Sequence, residues 1–162
     1  MGDPSWQSAA CAVGAAVAVH ACLASRSRSE NARLPRLSWQ QPAELAVVRM
    51  PAEAPWPAAC PGSTFYSVTR APGETSVVVD ASLASRFSAE GVEIETGWTM
   101  CKLEGPLHFS LVGILSKIAT ILAVEGISIF AISTYDTDWV LIKKDNKDAA
   151  MKALASAGYT WL

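Results

Sequence analysis

In the second half of the chain the apolar positions change period repeatedly, and each change predicts a structural element. Trp98 to Leu103 reads as a strand closed by Gly105-Pro106. Leu111, Ile114, Leu115, Ile118, Ile121 and Leu122 then recur at helical spacing as one buried stripe, with Ser110 in the position of an N-cap. Gly126 falls just past the predicted helix end, where a left-handed backbone is common. Ile127 to Ser133 is nearly all apolar and predicts a buried strand, and Trp139 to Ile142 returns beside it across the polar tip Tyr135-Asp136-Thr137. Asp145 or Asn146 caps a last helix through Ala149, Ala150, Ala153, Leu154 and Ala157, which Gly158 stops before the strand stub Tyr159 to Leu162.

The first half shows the same order more faintly. Folding is expected to begin near Leu37, and Glu44 to Met50 is a β-branched run ended by Pro51. Pro51, Pro55, Pro57 and Pro61 limit the next segment to a helical turn at most, because proline removes a donor and fixes φ. Thr64 to Ala71 and Thr75 to Asp80 flank the turn signal Pro72-Gly73 and predict a hairpin. Ala81 to Phe87 reads as a short helix, and Gly91 to Glu95 as a strand. Two successive β-α-β-β-α-β units result, an α+β chain of ferredoxin-like antiparallel sheets, each with its helices on one face. Residues 1–38 are expected to be an Ala-rich and Ser/Arg-rich extension, 39–96 a degenerate first unit and 97–162 the second.

The run Glu-Gly-Pro-Leu-x-Phe-Ser-Leu-x-Gly-Ile-Leu at 104–115, with Ile-Ser-Ile-Phe-x-Ile-Ser-Thr-Tyr-Asp-Thr-Asp at 127–138, resembles the small tandem ACT-domain proteins, among them the ACT pair of cytosolic arginine sensors. The resemblance covers about residues 43–162. It implies a non-enzymatic regulatory or sensor module that holds an amino acid between ACT units, or else a ligand-free ACT scaffold for protein assembly. The uncovered edges of such sheets predict a homo-oligomer or a protein partner, and free thiols a cytoplasmic location. Matched residue by residue, the implied ligand contacts are Gly105, Ser110, Val112 and Gly113 on one side and Ser133, Thr134, Tyr135 and Asp138 on the other.

The chemistry of those residues suits an α-amino acid. Helix N-terminal amides near Ser110 to Gly113 receive a carboxylate, and Asp136 or Asp138 pairs an ammonium. Bland roles compete at each position: a plain cap for Ser110, helix–sheet packing for Gly113, a tight turn at Asp136-Thr137, a surface aromatic for Tyr135. His108 reads as an exposed loop residue rather than a ligand contact.

Composition narrows the alternatives. A chain of 162 residues that is 51% hydrophobic and 17% charged has material for a core. A formal net charge of −2, without a basic stripe, argues against nucleic acid. Cys11, Cys22, Cys60 and Cys101 lack C-x-x-C spacing and read as free thiols, and with only His20 and His108 available no metal or other cofactor is expected. Neither a G-x-S-x-G elbow nor a phosphate-cradling loop is present; Glu93 and Glu95 read as a solvated strand face, and Cys101 has no evident histidine partner. Ser8 to Ser25 is Ala-dominated, a poor membrane span, and lacks the basic start of a secretory signal, although small residues at Ala24-Ser25 leave a targeting role open.

Overall fold

A computed structural model describes residues 34–40 and 44–162. The Ala-rich run Ser8 to Ser25, with Cys11, Cys22 and His20, lies outside the described residues. Seven strands form one antiparallel sheet: β1 (Leu37–Trp39), β2 (Leu45–Pro51), β3 (Ser67–Ala71), β4 (Glu74–Asp80), β5 (Glu93–Leu103), β6 (Phe130–Ser133) and β7 (Asp138–Lys143). Their order is β3-β4-β2-β5-β7-β6, with β1 also on β5. Helices α1 (Ile114–Val124) and α2 (Lys147–Ser156) follow β5 and β7, and a 3-10 segment, Ala81–Phe87, follows β4.

The expected strands 91–95 and 98–103 are one strand. β5 pairs β2 along its first part, from Glu93↔Arg49 to Trp98↔Leu45, and β7 along its second, from Trp98↔Lys143 to Lys102↔Trp139. It therefore joins the two halves of the sheet, and runs through the expected boundary at 96/97. The register slips between Leu45 and Val47, opposite Gly97, whose φ is +81°. Glycine takes that conformation without strain, so the chain bulges there instead of breaking. The Gly97 amide donates to Glu44 Oε1 at 3.0 Å. Glu44 Oε2 also pairs Lys144 at 2.8 Å, and the carboxyl is held below its usual range by that lysine first.

The bulge keeps all the helical segments on one face. Val48 and Val77 lie opposite each other, as do Ala46 and Val79, and pack under Ala84 and Phe87 of the 3-10 segment. In the second half Cys101, Leu103, Val140 and Ile142 pack under Ile118 and Leu122 of α1 and Ala150 and Leu154 of α2. The opposite face curls on itself, joining Leu45 and Val78 to Met100 and Leu141, with Phe65 against Trp139 at a ring separation of 5.1 Å.

β1 completes the second unit. Leu37, fully buried, pairs Leu103 on one side and bridges Trp161 on the other, so the short terminal stub has a neighbour within the chain. No α-helix connects β2 to β3, as the prolines predict; that space is an open groove of about 820 Å³ lined by Met50, Trp56, Phe87 and Val92.

Candidate functional site

An open cleft of about 350 Å³ lies at one end of the second unit. One wall is the segment from Leu107 to Ser116, which leaves β5 and enters α1; the other is the β6–β7 hairpin with Ser133, Thr134, Tyr135, Thr137 and Asp138.

The helical wall differs from the expectation. Ser110 is not the N-cap, and Leu111 is outside the helix and exposed. The cap is Gly113 at φ +79°, with no side-chain hydrogen bond, and the first helical bond runs from the Lys117 amide to the Gly113 carbonyl at 3.0 Å. A left-handed residue cannot continue an α-helix, so α1 starts at Ile114 whatever the apolar spacing before it. Gly113 has open space around its missing Cβ, so its backbone conformation, not crowding, requires glycine. The amides of Ile114, Leu115 and Ser116 precede the first helical bond, and all three residues line the cleft. They form a patch of positive potential at the helix start.

On the opposite wall Ser133 Oγ donates to Asp138 Oδ1 at 2.6 Å, leaving Oδ2 with no side-chain hydrogen bond among the described residues. Among the described residues Asp138 is the only Asp or Glu on either wall, and no Lys or Arg lines the cleft. Phe109 and Tyr135 meet edge to face at its mouth, with centroids 5.2 Å apart. Both rings are at least three-quarters exposed, at 75% and 80%.

Gly113, Ser133, Thr134, Tyr135 and Asp138 are thus gathered at one cleft. Gly105, Ser110 and Val112 are not on its walls. Gly105 lies under the hairpin tip, Val112 points to solvent at 88% exposure, and Ser110 Oγ is 2.7 Å from His108 Nδ1. His108 is exposed as expected, yet it lines the cleft. Sequence reasoning also missed Phe109, Ser116 and Thr137; the available signal was their position within or beside the two motifs.

The His108–Ser110 pair makes a poor nucleophile. Both residues are exposed, and among the described residues no carboxylate bonds the other ring nitrogen. Cys101 is inert, its thiol pushed up to about 12 by burial. Cys60 and Cys101 are free and buried, and no cluster of metal-ligating side chains occurs among the described residues. No helix among them is long and apolar enough to cross a membrane.

Residues 93–156 match the family described as ACT domain. The cytosolic arginine sensor for mTORC1 subunit 1 of Pongo abelii is 32% identical over 111 residues, covering 65% of this chain and 34% of that protein. Its human counterpart is 31% identical over 95 residues, covering 56% and 29%. The chain therefore spans about a third of the length of these relatives. Among solved structures, protein Atu0741 of Agrobacterium tumefaciens is 29% identical with a TM-score of 0.70, covering 81% of this chain and 94% of that one. Aspartokinase alpha and beta subunits, 17% identical with a TM-score of 0.54 over 76% and 97% of the two chains, share the fold. On the fold described above, residues 93–156 of this chain are thus similar to the ACT domain.

Proposed function

We propose that this chain is a non-catalytic sensor module that binds an amino acid in the cleft between α1 and the β6–β7 hairpin. The carrying observation is polar asymmetry: uncapped amides of α1 on one wall and the Asp138 carboxylate on the other. An α-carboxylate fits the first and an ammonium the second. With no Lys or Arg on its walls and two aromatic rings at its mouth, the cleft favours a positively charged side chain. Arginine, which the relatives are named for sensing, is the first ligand to test. The same reading gives the chain the cytoplasmic location in their names and residues 39–96 and 97–162 as its two ACT units.

A second reading has an observation of its own. Phe109, Leu111 and Tyr135 put three exposed apolar side chains on the two walls of the mouth, with exposed Val112 next to Leu111 in the chain. A second ACT unit, from another copy or a partner, would cover them. Such assembly either closes the ligand site or is the chain's whole role.

Thermal unfolding with each of the twenty amino acids separates the two. A ligand at 100 times its Kd adds about 2.7 kcal/mol of stability, whereas a scaffold gains nothing. Asp138→Asn keeps an acceptor for Ser133 but removes the charge, and lowers affinity roughly 10- to 100-fold, the scale of a charge-assisted hydrogen bond. An unchanged affinity in that variant rejects the site.

A further inference from the structure

The β6–β7 hairpin is fastened more firmly than a surface turn requires. The ladder between β5 and β7 ends at Lys102↔Trp139. One step beyond, the Thr137 hydroxyl donates to the carbonyl of Leu103, a contact between residues 34 apart in sequence. Thr137 is buried at 7% exposure, although Tyr135 and Asp136 beside it are exposed. Its own carbonyl accepts from the Thr134 amide at 2.8 Å and from Thr134 Oγ1 at 2.9 Å.

A second attachment is independent of that hydroxyl. The Leu107 amide donates to the Asp136 carbonyl at 2.8 Å. A Cβ on Gly105 would lie 2.4 Å from that same oxygen and 2.9 Å from the Leu107 nitrogen. Both are backbone atoms, so neither yields by a rotamer change; any side chain at 105 displaces the tip or the loop.

We propose that Thr137 and Gly105 are positioning residues of the cleft, latching the hairpin to the end of β5 so that Thr134 and Asp138 face the start of α1 at a fixed separation. The proposal rests on the sensor reading for its ligand, but the latch is a property of the empty protein. Gly105, matched above to a ligand contact, acts through the hairpin. Thr137 acts through Thr134 and through Asp138, its neighbour in the chain. A latched wall loses little freedom when ligand arrives, so removing the latch weakens binding while Asp138 and the α1 amides are left in place.

The test uses the full chain and three variants. Thr137→Val keeps the shape and removes the donor, Thr137→Ser keeps the donor, and Gly105→Ala forces the close approach apart. Hydrogen exchange on the ligand-free protein reads the latch directly. In Thr137→Val the Leu107 and Thr134 amides are expected to exchange roughly tenfold faster, while the amide of Leu154 in α2 is unchanged and Thr137→Ser matches wild type. Whichever amino acid stabilises wild type is then titrated; affinity falls about tenfold in Thr137→Val, the scale of one net hydrogen bond, and recovers in Thr137→Ser. Gly105→Ala, if folded, reproduces the valine variant. Unaltered hairpin exchange in Thr137→Val overturns the latch, and accelerated exchange with unaltered affinity overturns its role in the site. If no amino acid stabilises wild type, the sensor reading fails, and the exchange data still decide the latch.

Discussion

The two halves of the sheet repeat one strand order, yet only the second sets a carboxylate opposite the start of an α-helix across a cleft. β3–β4 occupies the place of β6–β7, and each hairpin starts its return strand on an acid, Glu74 in one and Asp138 in the other. Each acid accepts a serine hydroxyl, Ser76 Oγ at 3.0 Å and Ser133 Oγ at 2.6 Å. The difference is cationic. Glu74 also pairs Arg49 on β2 at 3.3 Å, whereas Asp138 has no such partner among the described residues. Across from Glu74 the prolines replace a helix, so no helix N-terminus faces it. A carboxylate already paired, with no anion-binding wall opposite, is part of a solvated edge. An unpaired one opposite free amides can recognise a zwitterion.

The largest expected effect tests whether the halves behave as one folding unit. Leu122 and Val79 are buried at 1% and 0% exposure in separate clusters, one in each half. Leu122→Ala should remove about 2–5 kcal/mol of stability, whereas Val79→Ala, losing two methyl groups, should remove about 2 kcal/mol. Because β5 pairs β2 and β7 alike, both variants should shift the same single transition in urea, read by circular dichroism and tryptophan emission together. Two resolved transitions would show that the shared strand does not couple the halves.

Much of this was legible because it is local. The stripe from Ile114 to Leu122, the Pro72-Gly73 turn and the barrier of prolines after β2 each act over a few residues, and the structure has α1, the β3–β4 hairpin and no intervening helix accordingly. What escaped depends on distant partners. Leu37-Ser38-Trp39 is too short to announce a strand; it is one because Leu103, Lys102 and Cys101 lie opposite. Residues 91–95 and 98–103 read as two strands, but the register against β2 makes them one with a bulge at Gly97. Ser110 has the chemistry of a cap, and three residues later the backbone of Gly113 overrules it. The same division holds in the cleft. Ser133, Thr134, Tyr135 and Asp138 were named from their motif, but the contacts of Phe109 with Tyr135 and of Thr137 with Leu103 exist only once β5 and the hairpin have been brought together.

Gly113 gives the next sharpest contrast, since the first half has no helix start to perturb. An alanine there meets no neighbour, and its penalty is that of a left-handed non-glycine residue, roughly 1–2 kcal/mol. Asparagine tolerates that region better, so Gly113→Asn should lose less than Gly113→Ala in denaturant titration. Equal losses would point to a contact at 113 rather than to its φ.

The smallest expected effect concerns Glu104, which ties β1 to the second half just beneath the cleft loop. Its Oε1 accepts the Ser38 hydroxyl at 2.5 Å, and Oε2 pairs Lys102 at 3.1 Å. The Ser38 hydrogen bond foremost, then Lys102, holds this carboxyl below its usual range. A folded pKa below the unfolded value of about 4.3 means that the ionised group stabilises the fold fully above that pH, and that the contribution disappears as pH falls through the lower, folded value. Wild type should therefore exceed Glu104→Gln in stability near pH 7, by on the order of 1 kcal/mol or less because the pair is partly solvated, and the gap should shrink as pH falls below the unfolded value of about 4.3. Lys102→Met should narrow the pH 7 gap, whereas Ser38→Ala should nearly abolish it if the hydroxyl is the stronger of the two partners. The reverse ranking, read from urea midpoints at pH 7 and pH 3, would assign the stabilisation to the lysine and make β1's hold on the second half one of packing, through Leu37, rather than of hydrogen bonding.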